Sequence, residues 1–109
     1  MKENSIATVP GQKIIRIKRE PKGKIYSYIN NDTEEMAAKE LKAGAFKLWC
    51  YLRRNREGFT LALSPEDCEE RYGIGLKQYR GAVKELIEKR YLILDRGNVY
   101  VFYERKSNF

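Results

Sequence analysis

The chain has no histidine, only two cysteines, three prolines and one tryptophan in 109 residues. Without histidine there is no Ser-His or Cys-His nucleophile pair, no imidazole general base and no imidazole ligand for zinc. The cysteines, Cys50 and Cys68, fall inside helical patterns and form no C-x-x-C pair. They read as buried reduced thiols, which fits a reducing cytoplasm and argues against a disulfide framework. There is no signal peptide and no apolar run long enough to cross a membrane, so a soluble protein without a membrane partner is expected. A glycine-rich phosphate loop, a nucleophile–base pair and a metal cluster are all missing. The reading is therefore no catalytic residue, no metal, no cofactor and no small-molecule substrate.

What is present is positive charge and enough apolar mass for one core. Apolar residues make up 42% of the chain, and Lys plus Arg number 22 against 15 for Asp plus Glu, a net charge of +7. That sign favours polyanionic partners. The charge is uneven. Residues 1–31 hold seven bases and two acids, net +5; residues 59–73 hold one base and four acids, net −3; residues 74–109 hold eight bases and four acids, net +4.

Along the chain, the first twelve residues lack periodicity and read as a loose arm. In KIIRIKREPKGKIYSYI, two β-branched and aromatic runs flank Glu20-Pro21-Lys22-Gly23, with Pro and Gly where a type I turn prefers them. This predicts an N-terminal hairpin over Lys13–Ile29. Asp32 or Thr33 then caps a short helix through about Leu41. The segment AGAFKLWCYLRRN, Ala43–Asn55, places Ala45, Leu48, Trp49 and Leu52 on one face, with Phe46, Cys50 and Tyr51 widening the arc. A helix apolar over most of its circumference needs cover on two sides. One side is expected from the following helices, the other from the hairpin or a second subunit. Phe59–Leu63 reads as a short strand. Ser64-Pro65-Glu66-Asp67 has a serine cap, proline at the first helical position and acids in the first turn, and Gly73 ends that helix. From Leu76, the residues Leu76, Tyr79, Val83, Leu86 and Ile87 form a buried stripe. The opposite face carries Lys77, Gln78, Gly81, Lys84, Glu85 and Glu88. Leu92–Leu94 and Val99–Tyr103 flank Asp95-Arg96-Gly97-Asn98 and read as a hairpin.

From Leu41 to Tyr103 this order resembles a winged helix-turn-helix domain, of the kind found in small replication and regulatory proteins of bacterial phages and plasmids. The residues that carry the likeness are GAFKLWCYLRRNREGFTLALSP, ERYGIGLKQYRGAVKELIEKRYL and the aromatic wing ending VYVFYE. The resemblance implies an α+β fold: a three-helix core with a C-terminal β-wing, here preceded by the N-terminal hairpin and short helix. Residues 1–31 would form the arm and basic extension, and residues 32–109 the winged domain.

It further implies that Gly75–Lys89 is a recognition helix whose N-terminal half enters a DNA major groove. Lys77, Gln78 and Arg80 then face bases, Lys84 reaches phosphate, and Gly81 permits close approach; Arg96 is the wing's contact. A solvated polar face and a tolerated helix glycine explain the same residues without a ligand. Turn chemistry alone accounts for Gly97 and Asn98. In the hairpin, Lys13, Arg16, Lys18, Arg19, Lys22 and Lys24, interleaved with Tyr26 and Tyr28, form a second patch. It suits nucleic acid or a partner, or equally a lysine-guarded edge strand. Glu69 and Glu70 run against simple duplex binding, because acids near the phosphate backbone lower affinity. Either they face away from the DNA or they mark a protein-docking surface.

Duplex DNA binding, as a dimer, in phage or plasmid transcription regulation or replication is thus the leading expectation. Its rival is a protein-interaction module that keeps the fold, such as a replication adaptor or a phage-encoded inhibitor of a host nucleic-acid enzyme. Single-strand binding through the hairpin tyrosines stands third.

Overall fold

The computed structural model describes residues 12–18 and 26–105, and of residues 26–32 the backbone alone. Along them run β1 (Ile14–Lys18), α1 (Tyr26–Glu40), α2 (Ala43–Arg53), β2 (Thr60–Ala62), α3 (Pro65–Tyr72), α4 (Leu76–Glu88), β3 (Leu92–Arg96) and β4 (Val99–Tyr103). The strands form one mixed sheet in the order β2-β1-β4-β3, so the fold is α+β. None of the described helices is long and apolar enough to cross a membrane.

Local chemistry explains the ends of α3. Ser64 Oγ accepts the Asp67 backbone N–H at 3.1 Å, Pro65 opens the helix, and Gly73 closes it at φ 69°. Only glycine enters that left-handed region without steric cost. The β3–β4 hairpin turns through Gly97 at φ 54°, with a register shift between Leu94 and Arg96.

The N-terminal hairpin does not form. β1 pairs antiparallel with β2 (Ile15 opposite Leu61) and parallel with β4 (Ile17 opposite Phe102), while Tyr26–Ile29, read as the returning strand, opens α1. The physical reason is burial on both edges. Ile15 and Ile17 are 0% and 1% exposed, a burial that a lone two-stranded ribbon cannot supply. A short apolar run such as KIYSYI is ambiguous between strand and helix. The helix formers of EEMAAKE downstream carry one continuous helix back to Tyr26. Thr33 is consequently no cap. It lies inside α1, 1% exposed, where its hydroxyl accepts from Arg105 Nη2 at 3.2 Å. The expected turn at 20–23 and the arm of residues 1–11 lie outside the described residues.

The core gathers around α2, where Leu48, Trp49 and Leu52 are fully buried. α4 and α3 pack against it, as does α1. The remaining cover comes from the end of β4. Trp49 Nε1 donates to the Glu104 carbonyl at 3.0 Å, and Arg53 Nε donates to the buried Glu104 carboxylate at 2.8 Å. These two bonds tie that side of the helix to the chain's own C-terminal region.

Candidate nucleic-acid interface

Helix α4 decides the site, because its circumference is divided among three environments. Ala82, Val83 and Leu86 are buried in the core, and the helix packs along α2. Leu76, expected in that stripe, is 52% exposed. It sits in the first helical turn at the rim of the apolar arc, and Ile74, fully buried just before the helix, takes the inward place instead.

One polar flank is structural. A methyl group placed on Gly44 would come within 2.5 Å of Gln78 Cγ, so the Gln78 stem lies across the start of α2. Glu85 Oε2, on the same flank, accepts the Lys42 backbone N–H at 3.0 Å, supplying an acceptor where α2 begins. Gln78, itself exposed, thus runs beside the start of α2. At the far end of α4, Lys89 Nζ donates to the Glu40 carbonyl at 3.3 Å, next to the bond from Tyr91 Oη to Glu40 Oε1.

The outer face and the other flank carry Lys77, Arg80, Gly81 and Lys84, all exposed. Among the described residues, no carboxylate forms an ion pair with Lys77, Arg80 or Lys84. A side chain added at Gly81 would meet no atom within 4 Å, so no packing within the chain requires a glycine there.

Period-two alternation splits the second basic patch. Ile15 and Ile17 point into the core, so Arg16 and Lys18 point to the opposite sheet face, and both are exposed. Lys13 shares the parity of Ile15 and Ile17, and its Nζ lies 5.9 Å from the centroid of the Tyr100 ring. Lys13 thereby joins Arg80 and Lys84 around a groove of about 530 Å³ between α4 and β4, with Tyr79, Val83, Ile87 and Tyr100 as its apolar walls and Glu88 as its single acid. Burial raises the Tyr79 phenol well above its ordinary pKa, so at neutral pH that wall is uncharged. Arg16, on the other face, pairs with Asp95 at 3.8 Å. Arg19, Lys22 and Lys24 lie outside the described residues; Tyr26 and Tyr28 are placed in α1 by backbone only.

At the wing tip Arg96 is exposed, while the Asn98 side-chain amide donates to the Gln12 carbonyl and Ile14 N donates to the Asn98 carbonyl at 2.9 Å. Asn98 therefore moors the start of β1 to the wing. On α3, Glu69 and Glu70 are exposed. The neighbouring Asp67 is engaged by Tyr51, Arg71 and Arg54.

Both cysteines are free. Burial, with Asp67 nearby, pushes the Cys68 thiol up to about 12, and burial followed by the charge of Glu34 raises that of Cys50. Neither presents a thiolate near neutral pH.

Set against family models, curated proteins and solved structures, the chain matches none of them.

Sequence reasoning assigned Lys13 to a separate patch and did not single out Tyr79 or Tyr100 as groove residues. The parity of Lys13 with Ile15 and Ile17 was readable. The parallel pairing of β1 with β4, which sets that lysine against Tyr100 beside α4, was not.

Proposed function

We propose that this chain is a winged helix-turn-helix module that binds duplex DNA. In this reading α3 and α4 are the helix-turn-helix, β3 and β4 the wing, and β1 an additional strand inserted between β2 and β4. The observation that carries the reading is the convergence of Lys13, Arg80 and Lys84 on one groove, with Lys77 on the adjoining outer face and no ion pair to Lys77, Arg80 or Lys84 among the described residues. Concentrated positive charge free of carboxylate partners binds phosphates by releasing their counterions. Lys77 and Arg80, on the N-terminal half of α4, reach base edges or the adjoining phosphates, Lys84 and Lys13 hold backbone phosphate, and Arg96 reaches the flank. α2, the helix whose apolar girth suggested a dimer, is covered within one chain, so the reading needs no second copy.

The test is affinity for a random duplex library, followed by salt titration on the enriched sequence. Alanine at Lys77, Arg80 or Lys84 should each lower the slope of log affinity against log salt by about one. Gly81→Ala should stabilise the free protein by up to about 1 kcal/mol, since its methyl meets nothing, yet weaken duplex binding if the helix backbone abuts DNA. Salt slopes insensitive to all three cations would reject the proposal.

A second reading is favoured by Glu69 and Glu70, exposed acids on α3 whose side chains make no ion pair among the described residues. It treats α3 as a docking face for a basic protein. Charge reversal at these two positions separates the readings, because it removes a protein partner but strengthens DNA retention.

A further inference from the structure

We propose that the groove between α4 and β4 holds an unpaired base, so that the preferred ligand is a junction where a single strand leaves a duplex; this rests on the duplex reading above. The walls and the rim of the groove have different chemistry. Lys13, Arg80 and Lys84 at the rim suit phosphates, but Val83, Ile87, Tyr79 and Tyr100 offer apolar and aromatic surface that a closed duplex cannot use. An intact duplex turns phosphate and sugar outward and keeps its base faces stacked. A single strand presents both phosphate and free π-faces, and cationic grooves with aromatic platforms are how proteins hold it. The groove volume, about 530 Å³, lies in the range of about 300–1,000 Å³ that admits small organic groups.

Tyr100 is the platform. Its ring is half-buried on the core side of the sheet, one strand register from Ile15, and so is held in place. The ammonium of Lys13 covers it at 5.9 Å, near the outer limit of about 6 Å for a cation–π contact. So loose a cover is readily exchanged. A base takes the ring, and the ammonium swings to that nucleotide's phosphate. Lys84 and Arg80, on the α4 side, hold the flanking phosphates. An acidic peptide would satisfy the rim while leaving the aromatic wall without a stacking partner.

The experiment compares a blunt duplex with the same duplex carrying a short overhang at the 5′ or the 3′ end, by fluorescence anisotropy with the full chain. One overhang should bind about tenfold tighter than the blunt duplex, the scale of one stacked base. Making that overhang abasic should abolish the advantage in the wild-type protein, independently of any folding defect in a variant. Tyr100→Leu should bring the overhang down to the level of the blunt duplex, whereas Tyr100→Phe should keep the advantage. Equal binding of blunt and overhang probes would overturn the inference and leave duplex binding standing. An advantage that survives the abasic overhang would also overturn it, by showing that charge alone is read. Displacement of the overhang by an oligoglutamate peptide at equal charge concentration would reassign the groove to acidic protein. No retention of any DNA would overturn the duplex reading itself.

Discussion

Asp67 shows how much one side chain does here. Its carboxylate accepts from Tyr51 Oη at 2.7 Å and Arg71 Nε at 2.8 Å, and Arg54 lies at 3.7 Å. The Tyr51 hydrogen bond first, then Arg71 and Arg54, hold its carboxyl below the usual aspartate range. A depressed folded pKa stabilises the native state above the unfolded value of about 3.9, and that contribution disappears as pH falls through the folded value. Urea midpoints should therefore fall between about pH 5 and about pH 2 in the wild type, and fall less in Asp67→Asn. A variant with an unchanged acid slope would refute the role. In the sequence, Asp67 was legible only as a first-turn acid beside its serine cap. Its bond to Tyr51, sixteen residues earlier, depends on how α2 and α3 cross.

At the scale of the element, α4 separates what periodicity can reveal from what packing decides. The apolar spacing located Val83 and Leu86 correctly, because a 3.6-residue period fixes which residues share a face. It could not tell that the polar arc divides, with Gln78 and Glu85 turned to the start of α2 and Arg80 and Lys84 turned to the sheet. The Gly44–Gln78 approach makes that division testable. Gly44→Ala alone should destabilise by about 1 kcal/mol, since the new methyl overlaps Gln78 Cγ. In a Gln78→Ala background the same change should be neutral or stabilising by up to about 1 kcal/mol, through helix propensity. A double-mutant cycle in denaturant measures the coupling, and additivity would exclude the contact. The failed hairpin belongs to the same scale. Residues 26–29 carry strand-like side chains, but they continue into a stretch of strong helix formers, and the longer element prevailed.

For the molecule as a whole, β1 is the element that joins the N-terminal region to everything else. It lies between β2 and β4, and its two isoleucines belong to the same buried cluster as Trp49 and Phe102. Ile15→Ala should lower the stability of the entire fold by about 2–5 kcal/mol in a single cooperative transition, read by denaturant melts of both Trp49 fluorescence and helical circular dichroism. A separate early transition would show instead that the N-terminal strand melts by itself. The order of elements from α2 to β4, the caps of α3 and the net positive charge were determined by the sequence alone, because periodicity, turn residues and composition act within a few positions of the chain. Which cations share a groove was decided only by the tertiary structure. Lys13 meets Tyr100 and α4 through a parallel pairing across more than eighty residues, and no local preference encodes a partner that distant.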